Sequence, residues 1–227
     1  MKQIIGRRFI ALGLAAALAQ PGYAKDESCL AFSQLRMTLE QNATDGDTEV
    51  VLFAKGRDDG LEHLVVSAPD ARRVAEFQGD RTGIGIREFN LESAEPADLD
   101  AVLTSFPEGS YSFAGKTVNG KCITGTASLS HKIAPATSLL APSEDQVVPI
   151  EQLVLRWEPV AGVERYVVEL NNEDSGGQST FEVFPPTTSV AIPAHFLQRD
   201  SEYQFVVGVK TAEKNVTFVE LNFFTAP

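Results

Sequence analysis

The sequence is poor in the residues that catalytic and metal sites use most often. Its 227 residues include three histidines, two cysteines and one tryptophan. The histidines, His63, His131 and His195, stand apart, and no His-x-His, His-Glu-x-x-His or Cys-x-x-Cys spacing occurs. A Gly-x-Ser-x-Gly elbow is also missing. The sequence therefore gives no support for a histidine-bound metal, a redox dithiol or a serine nucleophile on an α/β scaffold, and no cofactor is expected.

Basic residues are scarce relative to acidic ones. There are 19 Lys and Arg against 31 Asp and Glu, which gives a net charge of −12. Lys2, Arg7 and Arg8 fall in the first 24 residues, where no acid occurs, so the rest of the chain is more negative still. A chain with this charge repels phosphate backbones and anionic lipids. Binding to nucleic acid and insertion into a membrane are therefore not expected.

The first 24 residues have the three parts of a secretory signal peptide. The basic residues just named precede an apolar run from residue 9 to residue 19, and Gly22-Tyr23-Ala24 is a small-x-small cleavage site. This run is shorter than the roughly 20 residues that span a bilayer. We expect residues 1–24 to be cleaved and the mature chain to be periplasmic or secreted. A buried N-terminal helix and a twin-arginine signal remain as alternatives.

The two cysteines, Cys29 and Cys122, fit an exported protein. An even number of cysteines in an exported chain favours a disulfide. A disulfide between them would close a loop of 93 residues, which would stabilise the fold by about 4–5 kcal/mol in the chain-entropy model. If the first and last strands of a sandwich lie side by side, the two Cα atoms should be within about 4.4–6.8 Å. Two buried free thiols are the alternative.

Alternation of apolar and polar residues predicts an all-β chain. Tyr203, Phe205, Val207 and Val209, for example, would share one face of a strand. Seven strands are predicted over residues 35–41, 49–54, 63–68, 74–77, 84–91, 110–117 and 121–130, with one helical turn at 97–103. Seven more are predicted over residues 138–141, 152–158, 165–171, 179–184, 189–192, 202–211 and 217–224. We interpret the chain as two tandem β-sandwich domains, 25–135 and 138–227, that abut across a short linker.

Glycine positions predict two local features. Asn119-Gly120 is a hairpin signal suited to a type I′ turn. Thr82-Gly83-Ile84-Gly85 is too short for a phosphate-binding loop, and it indicates a bulge or a loop that enters a strand.

The second segment resembles the fibronectin type III module over residues 138–227. The matching residues are Pro142, Trp157-Glu-Pro-Val-Ala-Gly162, Tyr166, Leu197 and Tyr203-x-Phe205-x-Val207. The resemblance implies that Trp157 and Tyr166 lie in the core, and that Tyr203 forms a tyrosine corner by bonding back to the chain. It implies a fold and a tendency toward interaction, without a reaction.

The first segment repeats one detail of the second. Leu103 precedes Tyr111-x-Phe113 much as Leu197 precedes Tyr203-x-Phe205, which predicts a second tyrosine corner at Tyr111. This segment is an Ig-like sandwich in our interpretation. It is similar to uncharacterised exported bacterial proteins in which Asp-Gly-Asp and Phe-Pro-Glu-Gly-x-Tyr-x-Phe precede a fibronectin type III module.

The acidic residues Asp45, Asp47 and Glu49 form the one cluster that could bind a metal ion or act in acid–base chemistry. They place oxygens at alternate positions, which is the ligand type that Ca²⁺ prefers, but the loop lacks the EF-hand register. A solvated turn is the alternative. Asn42-Ala-Thr44 and Asn215-Val-Thr217 match the glycosylation acceptor pattern, which matters only in a eukaryotic secretory pathway.

The last predicted strand does not bury all its apolar residues on one face. Phe218, Leu221, Phe223 and Phe224 do not all fit one face, so Phe224 or Leu221 would be left exposed unless the first domain or another protein covers it. We therefore expect one of these apolar residues at the inter-domain seam or in an exposed apolar patch.

The leading functional hypothesis is an exported, non-enzymatic binding or scaffolding protein. Its sandwich loops, such as residues 171–177, or its edge strands would engage a protein or a glycan. One alternative is an accessory domain of an envelope hydrolase, or an unrecognised hydrolase, that uses the acids Asp45 to Glu49. Another is a structural spacer. The sequence identifies neither the partner nor the oligomeric state.

Overall fold

The computed structural model describes residues 28–96 and 98–227, so the predicted signal peptide lies outside the described residues. The described chain is an all-β protein of two sandwiches. We call the part up to residue 129 the N-terminal sandwich and the part from residue 134 the C-terminal sandwich. Each has its own cluster of buried apolar side chains.

The N-terminal sandwich has eight strands and one short helix. They are β1 (Leu30–Ala31), β2 (Gln34–Asn42), β3 (Thr48–Lys55), β4 (Leu61–Ser67), β5 (Arg73–Gln78), β6 (Glu88–Glu92), α1 (Leu99–Ser105), β7 (Gly109–Thr117) and β8 (Cys122–Leu129). One sheet has the order β1-β8-β7-β4-β5, and the facing layer is β2-β3-β6. Helix α1 begins two residues later than predicted, because the Asp98 carboxylate caps it by accepting a hydrogen bond from the Asp100 N–H.

The C-terminal sandwich also has eight strands. They are β9 (Leu139–Ala141), β10 (Val147–Val148), β11 (Val154–Trp157), β12 (Arg165–Asn172), β13 (Gly177–Val183), β14 (Ser189–Ala191), β15 (Glu202–Lys210) and β16 (Val216–Thr225). Strands β14-β11-β9 form one sheet, and β13-β12-β15-β16 form the other, with β10 parallel to β16. This arrangement agrees with the fibronectin type III resemblance.

The aromatic residues named from the sequence lie inside. Trp157 and Tyr166 are each 1 % exposed, and their rings meet edge to face with centroids 5.3 Å apart. Tyr203 accepts a hydrogen bond from the Gln198 N–H at 2.8 Å. The Tyr111 hydroxyl donates to the Pro107 carbonyl at 3.0 Å. Both corner tyrosines therefore bond back to the chain a few residues upstream.

The predicted disulfide is confirmed. Cys29 and Cys122 are bonded, and their Cα atoms are 4.8 Å apart. Strand β1 lies parallel to β8 beside the bond, with Leu30 opposite Ile123. The disulfide therefore fastens the start of the described chain to the last strand of the N-terminal sandwich.

Two local predictions were wrong in detail. The β7–β8 hairpin is present, but only Gly120 of its turn has a positive φ, of 80°. The Gly120 N–H bonds the Thr117 carbonyl and the Thr117 N–H bonds the Lys121 carbonyl, so the connection is a type I turn ending in a left-handed glycine, and not type I′. The strand predicted from residue 84 begins only at Glu88, because the preceding residues form a loop packed against Gly60.

We predict that Trp157→Ala lowers the free energy of unfolding by about 3–5 kcal/mol, since it deletes a fully buried aromatic side chain. Urea unfolding followed by circular dichroism measures this, because the only tryptophan is lost in the variant. Trp157→Phe is the matched control and should cost less. A loss under about 1 kcal/mol for Trp157→Ala would contradict the core assignment.

Candidate functional site

The two sandwiches are joined by direct strand pairing. Strand β16 of the C-terminal sandwich runs parallel to β2 of the N-terminal sandwich, with Val216 opposite Glu40 and Phe218 opposite Asn42. The Ala43 N–H extends the ladder by donating to the Phe218 carbonyl at 2.8 Å. The two layers therefore become one continuous sheet in the order β13-β12-β15-β16-β2-β3-β6. We call the β2–β16 junction the seam.

One buried side chain binds three parts of the seam together. Asn215, which is 1 % exposed, accepts a hydrogen bond from the Leu39 N–H at 2.9 Å. Its Nδ2 donates to the Ser130 carbonyl at 2.8 Å and to the Lys132 carbonyl at 2.9 Å. Asn215 thus satisfies backbone groups of β2 and of the segment that connects the sandwiches. Its burial also places the second glycosylation pattern out of reach in the folded chain.

Further contacts support the seam on both sides of Asn215. The Thr217 hydroxyl donates to the Ala134 carbonyl at 2.7 Å, and Lys132 pairs with Glu213 at 2.8 Å. The Thr44 hydroxyl accepts a hydrogen bond from the Glu220 N–H at 3.0 Å. One apolar residue of the last strand does lie at the seam, but it is Phe218. The two residues favoured from the sequence lie elsewhere: Leu221 packs against the C-terminal core, and Phe224 lies opposite Val147 of β10.

A groove of about 330 Å³ lies where the seam meets the outer face of the continuous sheet. The turn between β2 and β3 forms one wall, and β12 and β15 contribute the other. Phe218 and Val206 supply apolar surface, and the Phe218 ring fits over Gly208, where a Cβ would come within 2.5 Å of it. Seven lining side chains are carboxylates: Glu40, Asp45, Asp47, Glu49, Glu95, Glu169 and Glu220.

Burial, with neighbouring negative charge as a smaller cause, raises the pKa values of several carboxyls in the groove. Glu40 and Glu49 face each other directly across β2 and β3. Burial raises the pKa of Glu49 to about 7, and the negative charges of Glu92, Glu95 and Glu40 add to the effect. Burial also raises the pKa of Glu40, although the Thr38 hydroxyl bond and the charge of Lys210 oppose the change. The groove therefore favours the protonated form of these acids more than bulk water does.

The structure brings the acids predicted from the sequence into one wall of this groove. Asp45 and Asp47 lie in the β2–β3 turn, and Glu49 lies in β3. Asp45 also accepts a hydrogen bond from the Asn42 side chain at 3.3 Å. Across the described residues, no group of three or more His, Cys, Asp or Glu side chains has the geometry to hold a metal ion. Calcium binding at this turn stays a prediction.

The other groove residues were not identified from the sequence. Glu40, Glu169 and Glu220 are distant along the chain, and they come together only because β16 pairs with β2. Asn215 carried one signal, the Asn-x-Thr pattern, which points to glycosylation and not to a structural role.

The histidines have separate local environments. His63 bonds the Glu76 carboxylate at 3.0 Å, and His131 bonds the Phe106 carbonyl at 2.7 Å. The ring of His195 packs against Phe196, with centroids 4.7 Å apart. No histidine is among the described residues that line the groove. Within residues 28–96 and 98–227, no helix has the length and apolar character to cross a membrane.

Comparisons with known proteins give structural similarities alone. No protein-family model matches the chain, and no curated protein matches it. The chain is similar to the FN1–FN3 domains of chicken CNTN1, at 11 % identity and a TM-score of 0.34, covering 86 % of this chain and 65 % of that one. It is also similar to a segment of two fibronectin type III domains from chicken tenascin, at 12 % identity and a TM-score of 0.31, with coverage of 84 % and 97 %.

A third similar structure is the BSP domain of a biofilm-associated protein. The identity is 15 % and the TM-score is 0.29, covering 84 % of this chain and 29 % of that one. This chain therefore spans less than two thirds of the CNTN1 and biofilm structures. The all-β sandwich fold follows from the strand pairing and burial of the chain itself.

We predict that Asn215→Ala lowers the free energy of unfolding by about 3 kcal/mol or more. The change leaves the Leu39 N–H and the Ser130 and Lys132 carbonyls without their partner, and each such loss costs about 1–3 kcal/mol. Asn222→Ala, in the middle of β16, is the matched control and should cost about 1 kcal/mol or less. Urea unfolding measures both. Equal losses for the two variants would contradict the role of Asn215 at the seam.

We also predict a pH-dependent effect of Glu49→Gln. Because the folded-state pKa of Glu49 is raised from 4.5 to about 7, its stabilising contribution is complete below pH 4.5 and is lost as the pH rises through 7. The variant should match the native protein at pH 4 and melt on the order of 2–4 °C higher at pH 8, after allowance for solvent screening. Glu158→Gln, outside the groove, should show no such difference. An unchanged melting temperature at pH 8 would contradict the electrostatic account.

Proposed function

We propose that the chain is an exported, non-enzymatic binding or scaffolding module whose two sandwiches act as one rigid block. Its boundaries are those predicted from the sequence, with a cleaved leader at 1–24 and domains at 25–135 and 138–227. The partner is a protein or a glycan, and it is engaged at the groove and the adjoining β2–β3 loop.

The observation that carries this proposal is the groove built by both sandwiches. A binding site that spans a mobile linker loses affinity, because the ligand must also order the domains. Here the strand pairing at the seam and the buried Asn215 fix the groove walls before a ligand arrives. The groove combines an aromatic ring, the amides of Asn171 and Gln204, and carboxylate acceptors, a mixture that suits a ligand with hydroxyl or amine donors.

The disulfide supports the export part of the proposal. Disulfides persist in oxidising compartments, such as the periplasm or the extracellular space, and are rare in the cytosol. The bond between Cys29 and Cys122 therefore supports a periplasmic or secreted location. The signal-like residues 1–24 point the same way.

A second candidate function is acid–base hydrolysis at the same groove. Glu49 favours it, since a carboxyl with a pKa of about 7 remains partly protonated near neutral pH and can act as a general acid. A neighbouring carboxylate such as Asp47 would then serve as the base or the nucleophile, as in glycosidases. This candidate retains the predicted hydrolase role for the acids near Asp45 and Glu49.

The test is a binding screen of the mature protein on arrays of defined glycans and peptides. We expect Glu220→Gln, which removes one groove charge, to weaken binding to any array ligand about 10-fold or more, the value of one charge-assisted hydrogen bond. Glu158→Gln makes the same chemical change outside the groove and should leave binding unchanged. Absence of binding, or equal losses in both variants, would contradict the proposal.

Mass spectrometry of the bound ligand separates the two candidates. Intact ligand after prolonged incubation supports the binding module. Cleaved ligand supports the hydrolase instead, and Glu49→Gln should then abolish cleavage while the ligand still binds.

A further inference from the structure

Another cavity, of about 220 Å³, lies in the C-terminal sandwich where β9, β10 and β11 come together. Ala141 ends β9, Val148 ends β10, and Val154 and Arg156 belong to β11. Of the described residues that line this cavity, none lines the groove, and Arg156 is the one that carries a charge. We call the cavity the arginine pocket. Its chemistry therefore differs from that of the acidic groove.

The floor of the arginine pocket is apolar. Pro142 is buried, and Val148 and Leu153 are 9 % and 3 % exposed. Backbone hydrogen bonds hold this floor in place. The Val148 carbonyl accepts from the Ala226 N–H at 2.9 Å, and the Leu153 carbonyl accepts from the Ile192 N–H at 3.0 Å. The floor is therefore formed before a ligand arrives, which keeps the entropy cost of binding low.

The rim of the arginine pocket supplies hydrogen-bond donors. Gln146, Gln152 and Arg156 are exposed side chains that line it. The Gln146 Oε1 accepts a hydrogen bond from the Ser143 N–H at 2.9 Å, so the Nε2 group of the same amide remains as a donor. The Gln152 amide adds a second donor group, and the Arg156 guanidinium adds a planar fork of N–H groups. The rim therefore suits a ligand with several acceptor atoms.

The charge of Arg156 has no counter-ion within ion-pair distance among the described residues. Glu151, the acid beside Gln152, is already paired with Arg199. No acid is among the described residues that line the pocket. The chain is acidic overall, but physiological salt largely screens exposed charges that lie more than about 8 Å away. The local charge at the pocket is therefore positive.

We propose that the arginine pocket binds a small aliphatic monocarboxylate. The carboxylate accepts hydrogen bonds from the Arg156 guanidinium, in the bidentate geometry that such pairs favour, and from the rim amides. The hydrocarbon part of the ligand covers the floor around Val148 and Leu153. Both parts are needed, because an apolar floor does not hold an ion and an exposed guanidinium alone binds an anion weakly in water. This site is independent of the groove and of the function proposed for it.

The test is an NMR titration of the mature protein with hexanoate, followed at the backbone amides. We expect saturable shifts at Val148, Leu153 and Arg156, with a dissociation constant in the millimolar range because the ligand is small. Acetate keeps the charge without the longer hydrocarbon chain, and n-hexanol keeps the chain without the charge. Each should bind at least about 10-fold more weakly than hexanoate, since each lacks one of the two contributions.

Arginine variants supply the matched control. Arg156→Gln should weaken hexanoate binding about 10-fold or more and leave the binding of n-hexanol unchanged. Arg156→Lys should retain part of the affinity, because it keeps the charge but lacks the planar fork. Arg73→Gln removes a 59 % exposed guanidinium from the N-terminal sandwich and should leave hexanoate binding unchanged. Circular dichroism checks that each variant remains folded.

The proposal is overturned if hexanoate gives no saturable shift at concentrations on the order of tens of millimolar. It is also overturned if acetate or n-hexanol binds as tightly as hexanoate, because the pocket would then recognise only one part of the ligand. Equal losses for Arg156→Gln and Arg73→Gln would indicate a nonspecific charge effect and contradict it as well.

Discussion

Backbone pairing between β2 and β16 is the constraint on which the rest of the architecture depends. Without it, β2 and the first part of β16 would be open edges with unpaired N–H and carbonyl groups, since β10 covers only the last part of β16. Only three residue pairs lie in register, so the ladder is short. The side chain of Asn215 extends it by bonding the Leu39 N–H where no strand partner is present. A short ladder and one buried amide thus convert two sandwiches into a single block.

The same pairing creates the electrostatic character of the groove. Glu40 and Glu49 belong to the N-terminal sandwich, whereas Glu169 and Glu220 belong to the C-terminal sandwich. Joining the sheets places all four on one concave surface. Burial is the largest cause of the raised pKa values of Glu40, Glu49 and Glu220, and nearby negative charges add to it. A ligand that donates hydrogen bonds to these carboxylates would offset the repulsion among them.

The sequence was informative where a signal is local. Alternation placed strands close to the observed β3, β12 and β15, and the tyrosine corners followed from motifs of about ten residues. The strand prediction was wrong at residues 84–87. Their sequence resembles the start of a strand, but the contact between the Gly60 and Gly85 backbones sets their path. Short β1 and β10 lack enough residues to show any period.

The pairing of β2 with β16 at the seam was harder to predict from the sequence. The broken apolar alternation of the last strand indicated a covered apolar residue there, but it did not single out Phe218. The parallel register with β2 was not indicated, because pairing between strands that are far apart in the chain leaves no periodic trace in either strand. The groove could not be predicted for the same reason. Its acids are separated by up to 180 positions in the sequence, and only the pairing of β2 with β16 brings them together.

The order of the strands along the chain has a consequence for the timing of folding. Strand β2 is synthesised near the beginning of the described chain, while Asn215 and β16 come at its very end. During synthesis, one edge of the N-terminal sandwich therefore stays uncovered until nearly all of the later residues have been made. Domains generally fold as units from the N-terminus, and an uncovered edge during that interval is a template for misassociation. A chain that stops short of β16 would keep that template permanently open.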